Sequence, residues 1–133
     1  MDPVVHFELP CDDRLRITRF YETAFGWQMQ MLGEEMGNYV LATTALADVQ
    51  ADVPAGAING GIFTRQPGMP EQHPSVVIGV ADIRQSMARV ATAGGKVLGE
   101  PMDIPGVGAY VAFVDTEGNR LSMLQSLPPA ARR

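Results

Sequence analysis

The stretch Val4-Val5-His6-Phe7-Glu8-Leu9 begins a segment that occurs twice in this chain. Acidic residues, an amphipathic stretch and Gly26 follow it, and the second copy, Ser75-Val76-Val77-Ile78-Gly79-Val80, continues in the same order up to Gly95. The spacing is constant, because His6 and Ser75 are separated by the same number of residues as Gly26 and Gly95. Such a repeat predicts two half-cradles that share one cleft, so the side chains lining that cleft should determine the function.

Each copy is predicted to contain one strand, one helix and three further strands. In the first copy Pro10 ends the strand, Asp12 or Asp13 caps the helix and Gly26 stops it. Asp82 caps the corresponding helix of the second copy, and Gly94-Gly95 ends it. Along the first helix an apolar stripe at helical spacing consists of Ile17, Phe20, Tyr21 and Ala24.

The remaining strands are expected at residues 27–32, 38–43 and 57–64 in the first copy and at 96–98, 109–115 and 119–125 in the second. A loop rich in glycine and proline is expected at 99–108. The chain is thus predicted to be an α+β protein of two βαβββ repeats forming an incomplete barrel around a cleft. A single domain over residues 1–133 is expected, with repeats at about 4–64 and 75–125, a linker at 65–74 and a frayed tail at 126–133.

Length and charge restrict the class of partner. The 133 residues, 46% of them hydrophobic, are enough for one globular core. The net charge is −5 and no basic cluster exceeds Arg132-Arg133, so nucleic acid is not expected as a partner. Cys11 is the single cysteine, and neither a secretory leader nor an apolar segment of membrane length is apparent. A cytoplasmic location without membrane association is therefore predicted.

Several short motifs, taken in order, resemble those of the vicinal oxygen chelate superfamily. They are Val5-His6-Phe7, Phe20-Tyr21, Phe25-Gly26-Trp27, Ala93-Gly94-Gly95 and Asp115-Thr116-Glu117-Gly118-Asn119, and the resemblance extends over residues 4 to 125. This superfamily includes glyoxalase I, bleomycin-resistance proteins, extradiol dioxygenases and methylmalonyl-CoA epimerase. Thr116 departs from the pattern, since proline is common at its position. The resemblance implies the fold and the cavity of that family.

The resemblance also identifies four inward-facing positions that carry His or Glu ligands in metal-using members. His6 matches the first position, whereas Ser75 stands at the second and Ser122 at the fourth. The third falls in the strand at 57–64, which contains no His, Asp, Glu or Cys. Catalytic metal sites generally keep at least three protein ligands. The family's metal chemistry is therefore not carried over, and no cofactor is predicted.

A displaced metal site is the alternative. Strand alternation places Glu8 on the same face as His6, and His73 would share the face of Ser75 if that strand began early. Two histidines and a carboxylate are a recognised iron-binding set, but Pro74 disfavours a regular strand at His73. The alternative function is a metal-dependent lyase, isomerase or dioxygenase that uses His6 with non-standard ligands.

The preferred interpretation is a glyoxalase-like or bleomycin-resistance-like protein that binds a small organic molecule in the cleft without a metal. Within Asn59-Gly60-Gly61, the glycines indicate close approach by a ligand or, equally well, tight packing between the half-sheets. No catalytic residue is assigned. A homodimer is expected, and a paired-module scaffold with a vestigial cavity is a third possibility. The residues expected to contact the ligand are His6, Glu8, Asn59, Ser75 and Ser122.

Overall fold

A computed structural model of the chain describes residues 1–45, 56–69 and 72–128. The chain divides into two compact units, here called the N-terminal unit (His6–Pro74) and the C-terminal unit (Met1–Val5 with Ser75–Arg133). The division between Pro74 and Ser75 falls at the end of the predicted linker. The first residues group with the second unit, where the Gly79 amide donates a hydrogen bond to the Pro3 carbonyl at 2.8 Å. The single-domain assignment stays a prediction.

The N-terminal unit has the predicted order of one strand, one helix and three strands. Its sheet runs in the order β2-β3-β4-β1, with β1 parallel to β4 and the other pairs antiparallel. A short 3-10 turn, Glu34–Met36, separates β2 from β3. The elements are β1 (Val4–Cys11), α1 (Arg14–Phe25), β2 (Gln28–Met31), β3 (Val40–Thr43) and β4 (Asn59–Thr64).

Helix α1 begins and ends where its capping residues predict. The Asp13 carboxylate accepts a hydrogen bond from the Arg16 amide at 3.0 Å, and Gly26 closes the helix with a φ of 70°. The predicted apolar stripe is half wrong, because Phe20 is 56% exposed and Ala24 is exposed as well. The side chains of α1 that pack against the core of Cys11, Val40 and Ile62 are Ile17 and Tyr21.

The C-terminal unit repeats this arrangement. Its sheet runs in the order β5-β8-β7-β6, again with one parallel pair, β5 with β8, and two antiparallel pairs. Asp82 caps α2 through its carboxylate and the Gln85 amide at 3.1 Å, as predicted. The core between α2 and the sheet consists of Ile83, Val111, Phe113 and Met123. The elements are β5 (Ser75–Gly79), α2 (Ile83–Thr92), β6 (Lys96–Ile104), β7 (Gly108–Val114) and β8 (Arg120–Ser126).

Two predicted strand ends are wrong. Strand β1 continues through Pro10 to Cys11, because its pairing with β4 goes on beyond the proline and the Arg65 amide donates to the Cys11 carbonyl. Strand β6 continues to Ile104 through the predicted loop. Its register with β7 shifts between Leu98 and Met102, where Gly99 and Pro101 lie, and the pairing then resumes. Within the described ranges, neither helix has the length and apolar character needed to cross a membrane.

Candidate functional site

The sheet of the N-terminal unit has one face covered by α1 and one that carries polar groups, here called the open face. Leu9 and Cys11 pack into the core beneath α1, so the alternate residues His6 and Glu8 point to the open face. The register pairs His6 with Asn59 and Glu8 with Gly61. The sequence therefore places His6 and Glu8 correctly on one face.

A tyrosine that the sequence analysis did not single out joins these two side chains. The Tyr39 hydroxyl lies 3.1 Å from His6 Nε2 and donates to Glu8 Oε2 at 3.0 Å. Tyrosine has one hydroxyl proton, which points to Glu8, so His6 Nε2 carries a proton and donates to the Tyr39 oxygen. When the His6 ring is neutral, its lone pair is then on Nδ1. The three residues form an ordered donor chain from imidazole through phenol to carboxylate.

Two glycines on β4 explain how Tyr39 reaches this position. A Cβ atom on Gly61 would overlap the ring and hydroxyl of Tyr39, and a Cβ atom on Gly60 would overlap the ring of Phe7. The side chains at these neighbouring positions would point to opposite faces of the sheet. Aromatic rings of the same unit therefore account for both glycines.

The side chain of Asn59 forms hydrogen bonds with the backbone of the same unit. Its side-chain oxygen accepts hydrogen bonds from the amides of Thr44 and Ala45, each at 2.8 Å. The side chain thereby fixes the segment that leaves β3. Its expected contact with a ligand stays a prediction.

Burial controls the charge of His6. Loss of hydration lowers the pKa of His6 from its ordinary value of 6.5, and the negative charge of Glu8 partly opposes this effect. Neutral imidazole is the form favoured at neutral pH. In this neutral form Nε2 carries the proton that the donor chain requires, and Nδ1 is an acceptor.

We expect His6 to make the free energy of unfolding depend on pH. The pKa is lower in the folded chain than in the unfolded one, so stability is fully present above about pH 6.5 and is lost as the pH falls through the folded pKa. Chemical unfolding of wild type and His6→Gln between about pH 7.5 and 5 measures this, since the variant lacks the titrating group. Wild type should lose more stability than the variant; parallel pH curves would contradict the burial of a neutral His6.

The predicted serines of the C-terminal unit lie on the sheet face opposite α2. Ser122 is only 4% exposed, and its hydroxyl lies 2.6 Å from the Tyr110 hydroxyl. Ser75 donates to the Arg120 carbonyl at 3.0 Å. Tyr110 is diagonal to Ser122 across β7 and β8, as Tyr39 is diagonal to Gly61 across β3 and β4. The repeat therefore places a tyrosine at the same point in both units.

The donor set does not fit a metal site with three protein ligands. Across residues 1–45, 56–69 and 72–128, no three His, Cys, Asp or Glu side chains come together. On the open face, Gly61 supplies no side chain and the Tyr39 phenol occupies the space where one would project. His73 is exposed in a bend, with Nδ1 3.2 Å from the Pro74 carbonyl. The alternative set of His6, Glu8 and His73 is therefore not assembled.

Comparisons with known proteins agree with this architecture. The sequence profile of the Glyoxalase/Bleomycin resistance protein/Dioxygenase superfamily matches residues 4–123. A glyoxylase-like domain-containing protein of Didymella fabae is 29% identical over 115 residues, which cover 84% of each chain. The putative glyoxylase CFP32 of Mycobacterium bovis is 37% identical over 71 residues, 53% of this chain but only 27% of that protein.

Solved structures share the fold at low sequence identity. The methylmalonyl-CoA epimerase of Mycobacterium tuberculosis superposes with a TM-score of 0.70 at 12% identity, covering 96% of this chain and 90% of the epimerase. A methylmalonyl-CoA epimerase in complex with methylmalonyl-CoA and NH4+ gives 0.69 at 17% identity and 95% coverage of both chains. At these identities the likeness concerns the fold alone.

Proposed function

The chain belongs to the glyoxalase/bleomycin resistance protein/dioxygenase superfamily, and we propose that it binds a small organic molecule on the open face of its N-terminal unit without a resident metal ion. The observation that carries this proposal is the Tyr39 hydroxyl, which bridges His6 and Glu8 over Gly61. The Tyr39 phenol occupies the space into which a side chain at position 61 would project. It supplies hydrogen bonds there, whereas a metal site would need a further ligand side chain.

The open face offers both kinds of contact that a small ligand needs. His6, Glu8 and Tyr39 are half-buried polar groups, and Nδ1 of His6 is the acceptor that the donor chain leaves on the imidazole. Leu41 is 37% exposed and, like Phe63, belongs to the same face by its register with Gly61 and Pro10. A few fixed polar groups beside apolar surface are typical of small-molecule sites. We propose a ligand that presents a donor to His6 and an apolar part to Leu41.

The enzymatic alternative uses the same face. Imidazole and carboxylate are both ligand types for divalent transition metals, and His6 and Glu8 share the Tyr39 hydroxyl. A metal-dependent lyase, isomerase or dioxygenase would have to complete the site with non-standard ligands. The related methylmalonyl-CoA epimerases make acyl-CoA esters a class of compound to include among candidate ligands.

A melting-temperature screen with a metabolite panel tests the binding proposal. A ligand that binds the folded chain raises the melting temperature by mass action, at concentrations above its dissociation constant. The shift should disappear in Tyr39→Phe and persist in Tyr21→Phe, a matched control on α1 whose ring stacks on Trp27 at 4.4 Å. Equal shifts in wild type and Tyr39→Phe would contradict the site. No shift with any compound would favour the scaffold interpretation.

The assembly and location expected from the sequence also belong to this proposal. We propose a homodimer in the cytoplasm that does not bind nucleic acid. The net charge of −5 supports the last point, since phosphate contacts require basic clusters.

A further inference from the structure

A cavity of about 220 Å³ lies within the C-terminal unit, on the side of the sheet that α2 covers. It is separate from the polar residues Ser75, Tyr110 and Ser122, which belong to the opposite face. Its floor reaches the buried core, because Phe113 and Met123 line it. The remaining apolar lining comes from Ile78, Val80 and Val90.

Two opposite charges and one hydroxyl complete the lining. Asp2, Ser86 and Arg89 all border the cavity. The ion pairs found among the described residues are Arg65–Asp12 and Arg84–Glu100, so Asp2 and Arg89 form no ion pair with each other or with any other side chain in that part of the chain. A carboxylate and a guanidinium that border one apolar cavity without meeting can each receive a partner of opposite charge.

We propose that this cavity binds the zwitterion of a free aliphatic amino acid. The guanidinium of Arg89 receives the ligand carboxylate in the forked geometry that arginine favours. Asp2 receives the ammonium group, and the apolar floor takes the aliphatic side chain. A simple carboxylic acid matches Arg89 but is repelled by Asp2, whereas a zwitterion matches both charges.

The volume of the cavity sets the size of the ligand. Pockets for drug-sized molecules occupy about 300–1,000 Å³, so a cavity of 220 Å³ suits a molecule with the dimensions of leucine. The rim is partly exposed, because Arg89 is a surface residue. A ligand this small, held by exposed charges, should bind with a dissociation constant of about a millimolar.

Amide NMR spectra of the whole chain, titrated with L-leucine, test the proposal. Leucine should shift amide signals of α2 and of the end of β5. Glycine lacks the side chain, 4-methylpentanoate lacks the ammonium group and 3-methylbutylamine lacks the carboxylate, so each should bind more weakly by about tenfold. If any of the three binds as well as leucine, or if leucine shifts no signal in α2, the proposal is wrong.

Three variants identify the role of each group. Arg89→Gln should weaken leucine and 4-methylpentanoate by about tenfold, and Asp2→Asn should weaken leucine alone. Arg84→Gln, on the same helix but paired with Glu100 at 2.7 Å, is the matched control and should leave binding unchanged. Ser86→Leu fills the cavity without removing a charge and should abolish binding. Binding of leucine that survives both Arg89→Gln and Ser86→Leu would overturn the assignment.

Discussion

Gly61→Ala should destabilise the chain by about 3 kcal/mol, although alanine is normally favoured over glycine in a strand. The added methyl group would overlap the ring and hydroxyl of Tyr39. Tyr39 must then move away and lose its hydrogen bonds to His6 and Glu8. Each lost bond between half-buried polar groups costs about 1 kcal/mol, and displacing the ring removes packing as well. Chemical unfolding measures the loss.

The same clash predicts that a second substitution relieves the first. Tyr39→Ala removes the ring, so the double variant Gly61→Ala/Tyr39→Ala should be more stable than the sum of the single losses predicts, by about 1–2 kcal/mol. Gly60→Ala is the matched control, because its methyl group would meet Phe7 and not Tyr39. Tyr39→Ala should leave the cost of Gly60→Ala unchanged. Additive losses for Gly61 and Tyr39 would show that the phenol does not lie over Gly61.

Gly108→Ala should be at least as damaging, with a loss of about 4 kcal/mol. Gly108 has a φ of 150°, and a Cβ atom there would overlap the main-chain carbonyl of Gln125 on the neighbouring strand β8. Backbone within a paired strand cannot rotate away as a side chain can. Thermal and chemical unfolding should both show the loss.

Gly118→Ala is the comparison that separates crowding from backbone strain. Gly118 also has a positive φ, of 84°, but nothing lies within 4 Å of its Cβ position. Its substitution should therefore cost only the left-handed conformation, about 1–2 kcal/mol. If Gly108→Ala costs no more than Gly118→Ala, the close approach of β7 and β8 at Gly108 is wrong.

Local sequence signals predicted the order of elements because that order depends on local chemistry. Asp13 and Asp82 cap helices, Gly26 ends one, and Asp115 accepts hydrogen bonds from the Glu117 and Asn119 amides in the last turn. A side-chain cap or a positive φ depends on only a few adjacent residues, so the sequence alone can predict it. The repeat of strand, helix and three strands is therefore confirmed in both units.

The errors at strand ends arose where pairing between distant strands overrode a local signal. Pro10 predicts the end of a strand, yet beyond it the Arg65 amide donates a hydrogen bond to the Cys11 carbonyl. Gly99 reads as part of a loop, yet it lies within β6, where the irregularity between Leu98 and Met102 takes up its φ of 89°. A further error concerns α1. The spacing of Phe20 predicts a core position, yet its ring lies at the surface against Tyr21 and Phe25.

The sequence predicted part of the candidate site. Alternation on β1 placed His6 and Glu8 on one face, and Asn59-Gly60-Gly61 marked a close approach on β4. The sequence could not identify Tyr39 as the group that approaches, because its contact with Gly61 is diagonal across two strands. Paired glycines show where space is needed but do not show which side chain uses it. The equivalent tyrosine, Tyr110, is likewise diagonal to Ser122, a relation that depends on the register of β7 and β8 and not on local sequence.

Metal analysis of the freshly purified chain, prepared without chelators, tests the central claim most directly. The claim is that the Tyr39 phenol, and not a metal ion, joins His6 to Glu8. Wild type and His6→Ala should both contain far less than one Fe, Ni, Zn or Mn per chain, and the variant should remain folded. One metal ion per wild-type chain that disappears in folded His6→Ala would contradict the account and support the metal-dependent enzyme.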